Sequence, residues 1–197
     1  MATPQQHLNL MPHPYRWTRE EYYRLGELDF FDNKRVELIE GEVIEMSPIY
    51  SPHATTVTLV QEVMSQIFQK GWVIRIQQPL SLGTKSDPQP DIAVVIGKAR
   101  DYKNSHPVTA VLVVEVADSS ISFDRKAKAS LYAKASLADY WIVNVQDEQV
   151  EVYRRPILDE KAAYGFSYAE TLIFKKGDVL KPLAKAKISI AVADLLP

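Results

Sequence analysis

Ala110-Val111-Leu112-Val113-Val114-Glu115-Val116-Ala117-Asp118-Ser119-Ser120 carries an aliphatic run straight into a carboxylate. Such a run reads as a strand buried on both faces, whose end opens onto something polar. An ionised side chain at the edge of a core is costly unless it is paired, hydrogen-bonded or bound to a cation, so Glu115 needs company. Upstream, Pro90-Asp91-Ile92-Ala93-Val94-Val95-Ile96 is a second apolar run that begins with a carboxylate. Downstream, Asp124-Arg125-Lys126-Ala127-Lys128-Ala129-Ser130-Leu131-Tyr132 has helical composition and supplies amines. If the two strands are antiparallel neighbours, the start of one lies beside the end of the other, and Asp91 and Glu115 share one edge of the sheet. Two oxygen ligands so placed suit a hard divalent cation such as magnesium. The alternative is a structural acid pair satisfied by backbone amides or by Arg and Lys.

The elements around these runs follow from spacing. Thr18-Arg19-Glu20-Glu21 is a capping box, opening a helix through about Leu28. Residues 35–46 alternate polar and apolar on either side of Glu40-Gly41, the pattern of a β-hairpin. Three of its glutamates share an exposed parity, unless Glu37 faces inward. From Pro52 or His53 an amphipathic helix runs to about Gln69, and Gly71 ends it. Residues 72–82 read as a strand, 83–90 as a loop, and 98–106 as a polar connection. Ser119 to Ser122 can cap a helix over 122–136, which sets Asp124, Lys128 and Tyr132 in one row. The strand at 139–145 then runs parallel to the Glu115 strand. Strands at 150–154 and 166–174 follow, separated by a loop from Pro156 to Ala163, and the tail ends in a short strand and a helical turn. The fold class is α/β, in the α+β sense: a mixed sheet flanked by helices, with extra hairpins.

At 197 residues the chain fits one domain over 17–197, preceded by a flexible arm at 1–16. There is no cysteine, so disulfides and thiolate metal sites are excluded and the composition suits a reducing cytoplasm. The N-terminus has no basic start followed by an apolar run, and no later stretch is long and apolar enough for a membrane span. A net charge of −2 gives no global pull toward nucleic acid. Any such binding must be local, and Lys98, Arg100, Lys103, Arg125, Lys126, Lys134, Arg154 and Arg155 are the cations that could form a phosphate-facing surface or simply a solvated one.

The order of strand, acid-led strand, acid-tipped strand, lysine-bearing helix and strand resembles the core of the PD-(D/E)xK nuclease superfamily. Within it the chain most resembles the Uma-two family of restriction-endonuclease-like proteins. The resemblance rests on Thr18 to Tyr23, Val36-Glu37-Leu38-Ile39-Glu40-Gly41-Glu42, Met46-Ser47-Pro48 followed by His53, Gln89-Pro90-Asp91, Val114-Glu115-Val116, and Asp124-x-x-x-Lys128-x-x-x-Tyr132 leading to Asp139-Tyr140-Trp141. One departure is plain: the superfamily's lysine two residues after the second acid is Ala117 here. The resemblance implies that a lysine on the following helix, Lys128, replaces it. It also implies a metal-dependent DNA endonuclease in which Asp91 and Glu115 hold magnesium or manganese while Lys128 orients the attacking water. Glu37 would add a third carboxylate or is an exposed strand residue; His53 and Arg125 would touch the substrate. A homodimer is expected, because two-fold symmetry matches that of a duplex. Two other readings stand beside this one: a nuclease-fold binding or assembly module that no longer cuts, and another metal-dependent phosphoesterase.

Overall fold

The computed structural model describes residues 12–197. Most of the expected N-terminal arm therefore lies outside the described residues. Helix α1 (Arg19–Glu27) starts at Thr18, whose hydroxyl accepts the Glu21 N–H while Glu21 returns a bond to the Thr18 N–H. Strands β1 (Val36–Ile39) and β2 (Glu42–Glu45) form the expected hairpin, with Gly41 at φ +81° in the turn. Helix α2 (Ser51–Ile67) buries Val57, Val60 and Met64 at three- and four-residue spacing, with Phe68 just past its end.

A six-stranded mixed sheet follows: β3 (Trp72–Ile76), β4 (Ile92–Ile96), β5 (Leu112–Ala117), β6 (Asp139–Asn144), β7 (Gln149–Leu158) and β8 (Phe166–Lys175), adjacent in that order. Only β5 and β6 run parallel. They are joined by a continuous helical segment over 121–134, made of α3 (Ile121–Phe123), a π turn (Asp124–Lys128) and α4 (Ala129–Lys134). Two short strands, β9 (Val179–Leu180) and β10 (Ile190–Ala191), pair near the C-terminus. Among the described residues no helix is long and apolar enough to cross a membrane.

Period-two alternation assigns the two sheet faces. Val94, Val114, Val116, Trp141 and Val143 pack under α2 with Leu195 of the C-terminal turn. Ala93, Val95, Val113, Ala117, Tyr140 and Ile142 pack under the helix at 121–134. By the same parity Asp91 and Glu115 belong to this second face. The register pairs Ile92 with Val114, so one step further along Asp91 comes opposite Glu115.

Two boundaries differ from the sequence reading. The strand expected through Leu82 stops at Ile76, because Gln77 takes φ +49° and its N–H turns to the Pro90 and Asp91 carbonyls. The loop expected from Pro156 is instead the continuation of β7 to Leu158. Beyond Arg154 strand β7 has only β8 beside it, since β6 begins at the Asp139–Arg154 pair. A proline there forfeits no bond to β6.

Candidate active site

Each acid at the sheet edge is held by the other's strand. The Asp91 N–H donates to Glu115 Oε2 at 3.1 Å, and the Val116 N–H donates to Asp91 Oδ2 at 2.9 Å. The antiparallel pairing of β4 and β5 makes this reciprocal bonding possible and sets the two carboxylates side by side. Asp91 Oδ1 also meets the His53 Nε2 at 3.1 Å and accepts from the Gln77 amide at 2.9 Å. His53 reaches it from the first turn of α2, and Gln77 from the kink that ends β3.

The helix at 121–134 completes the site from above. Lys128 Nζ donates to Glu37 Oε2 at 2.8 Å and to Glu115 Oε1 at 3.2 Å. One turn on, the Tyr132 hydroxyl donates to Glu115 Oε1 at 2.6 Å. Asp124, one turn back, accepts from the Ser120 hydroxyl. The wide π turn keeps both Asp124 and Lys128 buried toward the sheet while Arg125 and Lys126 face outward. Glu37 enters from the β1–β2 hairpin fully buried, and the Gln89 N–H donates to its Oε2 at 3.0 Å.

Electrostatically the site is short of positive charge. Asp91, Glu115 and Lys128 are 8%, 5% and 1% exposed, and Glu37 and Asp124 are buried with them. Four carboxyl groups thus surround one ammonium. Burial pushes the Glu115 carboxyl up to about 8, against the pull of Lys128, with Asp91 and Asp124 adding to the rise. Burial likewise lifts Asp124 to about 6, opposed by the Ser120 hydroxyl and by Lys128. Asp91 goes the other way: burial works to raise it, but the bonds from His53 and Gln77 and the His53 charge hold it below the ordinary carboxylate range. His53 is raised by its bond to Asp91, against burial. For Lys128, burial opposes the charge, and the Glu115 and Glu37 carboxylates outweigh it, so the amine stays an ammonium.

Three observations suit a divalent cation here. The buried charge is in negative excess. Glu37 Oε1 is buried with no hydrogen-bond partner. Asp91 and Glu115 each take three protein donors out of the roughly four a carboxylate accepts, which leaves each a lone pair, on the Oδ2 and Oε2 atoms of the facing strands. Among the described residues no three His, Asp or Glu side chains are arranged to hold an ion. Two carboxylates with water and substrate oxygens completing the shell is the usual demand of magnesium.

Of the residues singled out from sequence, Asp91, Glu115, Lys128, Glu37 and His53 come together, and Glu37 faces inward. Arg125 does not join them. It lies over β7, donating through Nε to Glu151 Oε2 at 2.9 Å and through a terminal nitrogen to Oε1, where it neutralises an otherwise buried acid. Lys134 and Arg154 are likewise paired, with Glu40 and Asp139. Sequence reading set Tyr132 in one row with Asp124 and Lys128 but gave its hydroxyl no partner; that row was the signal for the bond it makes to Glu115. The Ser120 bond to Asp124 and the Gln89 backbone contact to Glu37 carried no spacing signal.

The site floors a cavity of about 140 Å³ whose lining includes Arg35, Tyr50, His53, Ser120, Phe123 and Asp124. A model of the Uma2 family, described as "Putative restriction endonuclease", matches residues 19–193. A crystal structure from Anabaena variabilis ATCC 29413, described as "a putative nuclease belonging to DUF820", has a TM-score of 0.70 and 18% identity, covering 91% of this chain and 97% of its own. At that identity the likeness shows a shared fold. No curated protein matches the chain.

Proposed function

This chain belongs to the Uma2 family, and on that premise we propose that it is a metal-dependent DNA endonuclease hydrolysing phosphodiester bonds. The observation that carries the reading is the placement of the Lys128 ammonium against Glu115, on the sheet edge where Asp91 lies opposite. Asp91 and Glu115 would hold magnesium or manganese, which when bound polarises the scissile phosphate and lowers the pKa of a coordinated water. The chain's own groups do the rest. Tyr132 and the Asp91 amide fix the Glu115 carboxylate in one orientation. Lys128 presents a cation to the attacking water and to the charge that develops on the phosphate oxygens. Glu37 is a positioning residue: it anchors the ammonium and is itself held by the Gln89 amide. His53 orients Asp91 from the α2 side and stands at the cavity wall, where it meets substrate. The domain at 17–197 acts as one unit, and a homodimer would place two such sites for the two strands of a duplex.

The closed hydrogen-bond network around the acids also suits the second reading, a nuclease-fold module that binds without cutting. Plasmid cleavage with magnesium or manganese, against an EDTA control and the Asp91→Asn variant, separates the two. Metal-dependent nicking or linearisation that Asp91→Asn loses is the expected result. Absence of cleavage with either ion, together with no manganese binding in a calorimetric titration, would falsify the nuclease reading.

A further inference from the structure

We propose that the site takes an unpaired DNA strand rather than intact duplex, with Tyr50 stacking on a base beside the scissile phosphate and Arg35 meeting a flanking phosphate. This inference rests on the nuclease reading above and names the form of its substrate.

Depth is the first argument. The two acids and Lys128 lie almost out of solvent in a cavity whose lining also includes Met46–Tyr50 and Ser119, Ser120 and Phe123. The phosphates of a duplex sit on a convex surface backed by stacked bases. A strand that must bring its backbone down into such a cavity reaches the buried groups more readily once its bases have left the stack.

The rim supplies the second. Ile49 and Tyr50 are 42% and 63% exposed, and both line the mouth beside exposed Pro48. Tyr50 occupies the N-cap position of α2 but makes no side-chain capping bond, so local structure gives its ring nothing to do. A free aromatic ring next to a phosphate-cleaving floor is the arrangement that single-strand binders use, because every base offers a face to stack on.

Charge is the third. Duplex recognition draws its affinity from many Lys and Arg contacts to phosphates. The cavity lining holds two such cations, Arg35 and Lys128, and Lys128 is committed to Glu37 and Glu115. Arg35 has no ion pair among the described residues and is exposed. Its chain neighbour Lys34 is neutralised by Glu45. Asp118 and Asp124 add negative charge to the same lining. One free cation with an aromatic and apolar rim fits a single strand passing through, and lacks what would clasp both strands of a duplex.

The test is fluorescence anisotropy with a short fluorescein-labelled oligonucleotide, alone and annealed to its complement, with calcium replacing magnesium so that binding is read without turnover. The unmodified protein should bind the single strand at least tenfold tighter than the duplex. Tyr50→Ala should weaken single-strand binding about tenfold, which is the low end of what one base–aromatic stack contributes, and Tyr50→Trp should retain it. Melting curves of both variants check that they fold. Equal or tighter binding of the duplex, or unchanged binding by Tyr50→Ala, overturns the proposal. Hydrolysis of bis(4-nitrophenyl) phosphate by the unmodified protein separates the two levels of the argument. If that small diester is cleaved while duplex is preferred, this inference alone fails. If neither the diester is cleaved nor either oligonucleotide bound, the nuclease reading fails with it.

Discussion

Replacing Lys128 by methionine tests the central contact of the site without touching the carboxylates. Methionine fills the same stem volume, so the change removes charge and donors with little effect on packing. The ammonium it removes lies 2.8 Å from Glu37 Oε2 and 3.2 Å from Glu115 Oε1, with all three side chains buried. Breaking a buried pair by removing one partner costs about 3–5 kcal/mol. Burial already pushes the Glu115 carboxyl toward its neutral form, so losing the ammonium weighs less on it than on Glu37. The cost then falls chiefly on Glu37, which keeps only the Gln89 amide, and the lower end of the range, about 3 kcal/mol, is expected. For a chain of this size that corresponds to a melting temperature lower by roughly 6–12 °C. Thermal unfolding followed by circular dichroism in EDTA at pH 7 measures it. Adding Glu37→Gln to the Lys128→Met background should recover part of the loss, giving a coupling of about 1 kcal/mol or more in a double-mutant cycle. A Lys128→Met shift under about 3 °C, or strict additivity of the two changes, would refute the claim that this ion pair holds the helix to the hairpin and sheet.

Tyr132→Phe removes one donor from Glu115 Oε1 and nothing else, so urea unfolding should show a loss of about 1.5–3 kcal/mol; no loss would mean that Lys128 alone satisfies that oxygen. Arg125→Leu should destabilise by about 1 kcal/mol at pH 7, discounted because the arginine is 41% exposed. Burial raises the Glu151 carboxyl, but Arg125, Tyr153, Gln149 and Asn144 bring it below its ordinary 4.5. Its stabilisation is therefore present above pH 4.5 and lost as pH falls through the lower folded value, and the gap between Arg125→Leu and the unmodified protein should narrow below pH 4.5. A gap of constant size in urea melts at neutral and acid pH would remove Glu151 as the cause. Gly41→Ala should destabilise by about 1–3 kcal/mol, since the residue sits at φ +81° and a Cβ there would come 2.7 Å from the Arg16 Cβ; a melting curve equal to the unmodified protein's contradicts this.

Most of the fold was legible because its elements follow strong local rules. The Thr18 capping box, the alternation around Glu40-Gly41 and the apolar period of α2 each correspond to an element of the expected type within one or two residues. The errors came where tertiary pairing overrides local pattern. Residues 72–82 alternate well enough for a strand, yet β3 ends at Ile76 because the left-handed Gln77 hands its N–H to the loop before β4. Pro156 reads as a break, and it is tolerated because one side of β7 is already free of β6 there. Neither fact is available to a reading that does not know which strands are neighbours.

The site divides along the same line. Asp91 and Glu115 were visible because strand geometry ties them to their apolar runs: an acid just before one antiparallel strand and near the end of the next must meet across the register. The amine has no such tether. Ala117, where the superfamily pattern puts a lysine, shares the face of Glu115 by period two and is packed into the core beneath the helix at 121–134. A lysine stem there would displace that packing. The same helix covers this face, and a four-carbon stem descending from Lys128 puts its ammonium against Glu115 from the opposite direction. The charge thus reaches Glu115 from the covering helix and not from its own strand. Arg125 shows the converse: it lies three residues from Lys128 and has a longer side chain overall, yet its side of the helix faces Glu151, and no reach brings it back. Helical phase, set here by the π turn, decides which cation enters the site, and phase across an irregular turn is what a linear spacing rule cannot supply.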